Sequence, residues 1–422
     1  MSRIYSYINN NRKLFQNFSF FFFFDILNKL IPFFILTLVA KNITVTEFGE
    51  LGIFNALSYF FVVFMSMNHY TYLSKEYYSV SFNGDILFYN LLFQNLALSI
   101  FVIVFSFLFS AVFSTGIKFP ILLLAGISSL LSSLNTLVLS YFVTKQRPIF
   151  HGLTNLTNSI ALLISAYLFI QVYKLNFYGR IYAQIFSGVF GLLFAIPLFF
   201  KTIKPLIGKL DFQLIKKSII WSLPLLPHTL SFWVKSGLDT LMINQFFDKE
   251  YTGIYSLLLT FTSLWMILIN ALFNVISPEY NKRMHQNPIS FDRYKRIGVL
   301  FSLIILVILF LFYFSAIFFT TIFFPITYLK SLDYLVLILP SLFFNAIYIF
   351  LSLYLFFNSK TTTMSFISVI SASLHIILVF IFSKLHNFNY VVFVQSLSSF
   401  IMVLLLLINI NINKVEALKK YE

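Results

Sequence analysis

Residues 218–261 read SIIWSLPLLPHTLSFWVKSGLDTLMINQFFDKEYTGIYSLLLTF. This is an apolar run long enough to cross a bilayer, broken by Pro224 and Pro227 and then by two opposite charges, Lys235 and Asp239, four residues apart. A short polar turn and a second apolar run follow. A charge near the middle of a membrane helix costs about 2.5–3.5 kcal/mol on insertion scales. Such residues usually face a bundle interior or a wet cavity. Asp25 and Lys29, also four residues apart, stand in the first apolar segment of the chain. The opening helix of each half thus carries one acid and one base, in opposite order.

The rest of the sequence agrees with a membrane reading. Of the 422 residues 59% are hydrophobic and only 10% charged, whereas a soluble chain is about a quarter charged. Apolar runs of about 20 residues, the length needed to cross the hydrocarbon core, recur from end to end. The pattern predicts an all-α polytopic membrane protein with about twelve spans in two six-helix lobes, residues 1–208 and 209–422. The spans are expected at 17–40, 48–67, 86–113, 120–144, 149–172, 178–200, 218–247, 252–276, 297–323, 332–357, 364–384 and 390–412. Two polar loops, 69–85 and 277–296, and a lysine-rich hinge, 201–217, are expected between them. The N-terminal apolar stretch runs on past Asp25 without a small-residue cleavage site, so no signal peptide is expected.

The net charge of +15 would suggest nucleic acid in a soluble protein. Here the positive-inside rule and anionic headgroups account for it, and no nucleic-acid partner is expected. With an inside N-terminus, twenty Lys and Arg fall on cytoplasmic segments and seven on outer ones. Both termini are therefore expected in the cytoplasm. There is no cysteine, which removes disulfides and thiolate metal sites. No P-loop and no His-Glu-x-x-His motif is present. No cofactor, metal site or catalytic residue is expected, and no outer loop is long enough to house a catalytic domain.

The halves echo each other. Gly52-Ile53-Phe54 follows Glu47-Phe48, and Gly253-Ile254-Tyr255 follows Glu250-Tyr251. Six spans per half would give parallel repeats related by an axis along the membrane normal, a build that places substrate near the midplane.

Two stretches carry a resemblance. IPFFILTLVAKNITVTEFGELGIFNAL (residues 31–57) and SLPLLPHTLSFWVKSGLDTLMINQFFDKEYTGIYSLLL (residues 222–259) resemble the polysaccharide-exporting branch of the multidrug/oligosaccharidyl-lipid/polysaccharide flippase superfamily. More narrowly, they resemble its O-antigen flippases. The matching features are Pro32 in span one, the Phe-Gly-x-Leu-x-x-Phe entry to span two, Leu-Pro-x-x-Pro, a mid-helix Asp and Gly-Ile-Tyr-Ser. The chain departs from the family at Ser66-Met67-Asn68-His69, where a glycine-containing turn is common. The resemblance implies an inner-membrane flippase for undecaprenyl-diphosphate-linked oligosaccharide, working by alternating access beside a polysaccharide polymerase.

Several residues are candidates for that work. Lys29 and Lys235 would attract a pyrophosphate or an acidic sugar, or each would belong to an ion pair that only makes its helix insertable. Asp25 and Asp239 would hold a lysine or take a proton, as would His228 if it is not simply a hydrogen-bonded core residue. Arg180 would meet substrate or snorkel to headgroups. Asn55, Asn270 and Asn274 would hydrogen-bond sugars or pack between helices. Pro32, Pro224 and Pro227 free backbone carbonyls and bend their helices, as moving hinges or as static kinks. The rival functions are a drug/cation antiporter of the same superfamily and a membrane polymerase or glycosyltransferase.

Overall fold

The computed structural model describes residues 28, 31, 34–77, 83–112, 119–206, 208–286, 291–357 and 361–419. The fold is all-α, and no strand occurs among these residues. Among the described residues ten helices are long and apolar enough to cross a membrane, which makes this a multi-pass membrane protein. By packing, the chain divides into two compact units. One comprises Met1–Ile43 and Leu57–Leu226, the other Thr44–Ala56 and Pro227–Glu422.

The helices of the first unit are α1 (34–42), the second half of α2 (Val45–Ser66), α3 (His69–Glu76), α4 (Gly84–Val112), α5 (Phe119–Thr144), α6 (Pro148–Ala166), α7 (Asn176–Ile203) and α8 (Phe212–Ser222). Tyr72, Leu73, Leu87, Phe88, Tyr141 and Phe142 lie among its core residues. Phe88 stacks on Tyr141 with ring centroids 3.9 Å apart and planes 10° from parallel, a contact that adds to simple area burial. Beside that stack the Asp85 carboxylate accepts hydrogen bonds from the Tyr77 and Tyr141 hydroxyls at 2.7 and 2.9 Å. Lys145 Nζ lies 2.8 Å from the same carboxylate.

The second unit holds α9 (Leu226–Trp233), α10 (Asp239–Phe246), α11 (Lys249–Gln286), α12 (Phe291–Phe323), α13 (Ser331–Phe357), α14 (Thr361–Lys384) and α15 (Phe388–Lys419). The first half of α2 belongs with them. Trp265, Ile269, Ile305, Leu342 and Leu406 are among its buried core. The Trp265 indole donates to the Leu342 carbonyl at 2.9 Å, so a large side chain is buried without leaving its polar atom unpaired.

The start of α2 is fixed by a capping box. Thr44 Oγ1 accepts from the Glu47 N–H while the Glu47 carboxylate accepts from the Thr44 N–H, at 3.2 and 2.9 Å, so two orphan donors are satisfied reciprocally. The two echoed glycine motifs turn out to face one another within the second unit. A methyl group on Gly253 would overlap the Val45 carbonyl, and one on Gly52 would overlap Ser256 Oγ. Lys249 then closes an ion pair with Glu50 across the same contact. Here glycine allows two backbones to approach, as small residues do at membrane helix interfaces.

Three sequence expectations change. The polar loop expected at 69–85 is helical over His69–Glu76, because the chain turns at Met67 and Asn68 with φ of 39° and 57° and then resumes. Asn tolerates this left-handed geometry better than most residues and stands in for the missing glycine. The second loop, expected at 277–296, is mostly the continuation of α11 to Gln286 and the start of α12 at Phe291. The hinge expected at 201–217 is shorter. α7 runs to Ile203, and α8 begins at Phe212, capped by the Asp211 side chain on the N–H groups of Gln213 and Leu214. Span one lies largely outside the described residues.

Candidate functional site

The expected seventh span is a broken helix. α8 passes through a 3-10 turn, Leu223–Leu225, into α9, which widens into a π turn, Val234–Leu238, before α10. The prolines account for the first break, since neither can donate a helix hydrogen bond. The boundary between the two compact units falls at Leu226–Pro227. The π turn coincides with Gly237. A methyl group there would strike the Trp233 indole, which lies over the glycine and donates to the Ala56 carbonyl at 2.8 Å. Such π turns often mark functional positions inside helices.

Lys235 lies inside this turn and Asp239 opens the next helix. They share a helix but do not pair. Lys235, 7% exposed, donates to Ser371 Oγ at 2.8 Å and makes a longer contact with Met402 Sδ at 3.7 Å. No carboxylate lies within ion-pair reach of it among the described residues. Asp239, 1% exposed, is surrounded by donors from three other helices. Tyr255 OH on α11 donates to Oδ2 at 2.7 Å. Gln395 Nε2 on α15 donates to the same oxygen at 3.2 Å and to Tyr255 OH at 3.0 Å. His375 Nε2 on α14 lies 2.8 and 2.9 Å from the two carboxylate oxygens. Its Nδ1 is 3.0 Å from Ser398 Oγ. Ser371 Oγ donates to the Ser398 carbonyl at 2.7 Å, which links the lysine and histidine branches through one residue of α15. A set of polar groups so fully connected is rigid, and it is costly to interrupt.

With this geometry in hand, comparison with known proteins is informative on the fold. No family model matches the chain, and none of the curated proteins matches it. Solved structures do. An inward-facing multidrug-resistance MATE family transporter of the MOP superfamily aligns with a TM-score of 0.66 at 14% identity, over 93% of this chain and 96% of that one. The lipid II flippase MurJ, in an inward closed conformation, aligns with a TM-score of 0.63 at 17% identity, over 94% and 87%. A MOP-superfamily transporter from Pyrococcus furiosus, described as having a binding pocket of reverse polarity, aligns with a TM-score of 0.57 at 13% identity, over 94% and 95%. The chain has the fold of these transporters.

The remaining candidates fall in different places. His228 Nδ1 meets Ser368 Oγ at 2.9 Å, and its ring stands edge-on to Phe232. It is half-buried, 11 residues or about three turns before Asp239 along the same broken helix. Pro224 and Pro227 are exposed. Asn55 is exposed on α2. Arg180 belongs to the first unit, where Nη1 donates to Gln184 Oε1 at 3.2 Å and Gln184 in turn donates to Ser128 at 3.0 Å. The backbone of Asn270 and Asn274 lies in α11, while their side chains are outside the described residues, as are Asp25, Lys29 and Pro32. The sequence reading did not connect His375, Tyr255, Gln395, Ser371 and Ser398 with Asp239 and Lys235. In the sequence, His375 stands alone in the apolar run 364–384. An ionisable residue at that depth was itself the signal that a partner exists.

Proposed function

We propose that this protein is a flippase that carries a polyprenyl-diphosphate-linked oligosaccharide, of the O-antigen repeat-unit kind, from the cytoplasmic to the outer leaflet. It does so by alternating access, in the cytoplasmic membrane of a bacterium, with both termini inside. A glycan headgroup cannot cross about 30 Å of hydrocarbon unaided, since its hydroxyls would lose their hydrogen bonds to water. A polar path through the protein removes that penalty while the lipid tail stays in the bilayer. The fold shared with MATE and MurJ transporters is the background to this reading.

The observation that carries it is the unbalanced lysine. Among the described residues no carboxylate lies within ion-pair reach of Lys235, and an ammonium buried that way is costly. An anionic ligand such as a diphosphate would offset that cost. Asp239 is already engaged by His375, Tyr255 and Gln395 and does not neutralise the lysine directly. For the drug/cation antiporter alternative, the relevant acid would be Asp239, and its engagement by a histidine weighs against an organic cation there. Asp239 is the candidate for ion coupling, and Pro224 and Pro227 are the candidate hinge. Polysaccharide polymerase is the expected neighbour in the membrane.

The test is made in cells depleted of the protein. Lipid-linked oligosaccharides are assigned to a leaflet with a membrane-impermeant sugar-modifying enzyme. Completed units should accumulate on the inner leaflet and be released by the wild-type gene, but not by Lys235→Ala. Units that reach the outer leaflet normally and stay unpolymerised would replace the flippase reading with a polymerase. Normal flipping with impaired efflux of cationic dyes would favour the antiporter.

A further inference from the structure

We infer that the turn between α7 and α8, together with the exposed face of α8, is a docking surface for an anionic phospholipid, with Lys209 beside the headgroup phosphate and Phe212 at the acyl boundary. The inference lies beyond the transport reading and does not rest on it. It starts from charge. Lys201, Lys204, Lys209, Lys216 and Lys217 stand against one acid, Asp211, within residues 201–217, five less one or a net +4. All five lysines are exposed. Among the described residues none of them lies within ion-pair reach of a carboxylate. The acids nearby are committed elsewhere. Glu76 lies 3.5 Å from Lys75, and Asp85 is held by Lys145, Tyr77 and Tyr141. Asp211 Oδ1 accepts from the N–H groups of Gln213 and Leu214 at 2.8 and 3.2 Å. The backbone donors at the start of α8 are thereby used, so any anion here is drawn by the lysines.

The turn is fixed in shape. Gly208 takes a φ of 86°, a left-handed conformation open to glycine, and its N–H donates to Tyr89 Oη at 3.1 Å. The Asp211 N–H donates to Asn90 Oδ1 at 2.8 Å. Both acceptors belong to α4, so Lys209 and Leu210 are held between two anchors on the same helix. Ile86 and residues Lys209, Leu210, Asp211, Phe212 and Gln213 line an open depression of about 540 Å³, within the size range of small-molecule sites.

Apolar surface adjoins the charge. Phe212 is 74% exposed, Ile220 61% and Leu223 56%. With Lys216 they recur at helical spacing on one face of α8, while Leu214, Ser218 and Ser222 are buried on the other. Along α7 the exposed side chains Leu193, Ile196 and Phe200 give way to Lys201 and Lys204. Such a switch marks the level where hydrocarbon meets headgroups. Water would penalise the apolar half of this surface and hydrocarbon the basic half, and the membrane boundary satisfies both.

Charge then selects the lipid. A lysine near an anionic membrane surface multiplies binding by about fivefold, and a zwitterionic headgroup gives no such gain. A soluble phosphate would answer the lysines but leave Phe212, Ile220 and Leu223 uncovered. An anionic phospholipid answers both halves of the surface with one molecule.

The experiment uses the full chain in lipid nanodiscs. The protein has no cysteine, so Gln213→Cys takes a single fluorophore at the depression. Ile326→Cys, at a residue 84% exposed in the second unit, provides the reference. The nanodiscs are phosphatidylcholine with a minor share of brominated phosphatidylglycerol or brominated phosphatidylcholine as quencher. The probe at 213 should be quenched at a much lower share of the anionic lipid than of the zwitterionic one, and the probe at 326 should be quenched equally by both. Lys209→Gln should lower the preference at 213 by up to about fivefold, and Lys216→Gln with Lys217→Gln should lower it further. Added salt should weaken it with every lysine in place, so the result does not depend on the variants folding. Inorganic phosphate at the same ionic strength as a chloride control should not displace the lipid. Equal quenching by the two lipids at 213 overturns the inference, as does a preference that neither the lysines nor salt affects. Displacement by inorganic phosphate would assign the depression to a soluble anion, and a probe that neither lipid quenches would assign the face to water or to a soluble partner. Either result also overturns it. No readout here involves transport, so a failure leaves the flippase reading standing, and a failed leaflet assay leaves the lipid site standing.

Discussion

Two clusters in this protein contain the same ingredients, an aspartate, a lysine and a tyrosine hydroxyl, and use them in opposite ways. In the first unit Lys145 closes directly on Asp85 at 2.8 Å, and Tyr77 and Tyr141 fill the remaining lone pairs. Charge and hydrogen bonds are balanced within the cluster, at the ends of α4 and α5. In the second unit Lys235 and Asp239 are neighbours in sequence, yet each takes a separate partner, Ser371 for the lysine and His375 for the acid. The first arrangement is complete as it stands. The second leaves a lysine with no carboxylate in ion-pair reach among the described residues, and an acid held by a histidine from another helix. Buried charge by itself does not mark a functional site. A buried charge whose obvious partner has been taken by another residue is far more informative.

The largest effect should come from breaking the balanced cluster. Asp85→Ala leaves Lys145 facing two tyrosines with no counter-charge. Removing one partner of a buried pair costs about 3–5 kcal/mol, and the lower end applies here because the side chains are 16% and 22% exposed. Equilibrium unfolding in mixed micelles measures the loss, and a change below 1 kcal/mol would show that the pair is ornamental. Tyr255→Phe tests the other cluster more gently. It deletes one donor to a charged oxygen, and hydrogen bonds to charged groups are worth about 1.5–3 kcal/mol. The same unfolding measurement should find a loss in that range, while Gln395 and His375 keep the carboxylate from being orphaned.

The sequence was most legible where physics is local. Apolar runs located most of the membrane helices, because each must satisfy its own backbone in lipid. The repeated Gly-Ile pair was visible as well, but only the fold shows that Gly52 and Gly253 are spaced for close backbone approach in one unit. What the sequence hid was tertiary. Spacing of four residues suggests that Lys235 and Asp239 pair on one helix face. The π turn at Val234–Leu238 changes the register, and the acid's partner lies 136 residues further along the chain. No periodicity connects a histidine in one span with an aspartate four spans earlier. The glycine missing after span two was misleading in a similar way, since Asn68 supplies the left-handed turn.

Lys235→Met sharpens the contrast because its two consequences have opposite signs. Replacing a buried ammonium that has no carboxylate in ion-pair reach among the described residues by an apolar chain of similar length removes a desolvation penalty. Stability should hold or rise by about 1 kcal/mol, the low end of gains seen when buried charges are replaced by apolar residues. Function should nevertheless be lost. Thermal unfolding in the presence of inorganic pyrophosphate provides the readout, with wild type stabilised and the variant indifferent. A variant that unfolds more readily than wild type and still responds to pyrophosphate would assign the lysine to structure and place the anion elsewhere.

The smallest effect belongs to a third pair, which calibrates the other two. Lys330 and Glu250 are 3.3 Å apart and about half exposed. The Glu250 carboxylate, by hydrogen bond and charge, raises the Lys330 pKa above its usual value. A raised lysine value contributes stability that is fully present below the unfolded value of about 10.4, and that stability is lost as pH climbs through the folded one. At neutral pH the pair is therefore intact, and Lys330→Gln should cost only about 0.2–1 kcal/mol, shrinking further in high salt. Compared with Asp85→Ala in the same unfolding assay, it separates what geometry contributes from what burial contributes. Both pairs have hydrogen-bond distances, so a several-fold difference between them must come from the water excluded around Asp85 and Lys145. If the two losses prove equal, burial is not what sets the balanced cluster apart. The argument that Lys235 is costly without an anion, which rests on the same exclusion of water, would weaken with it.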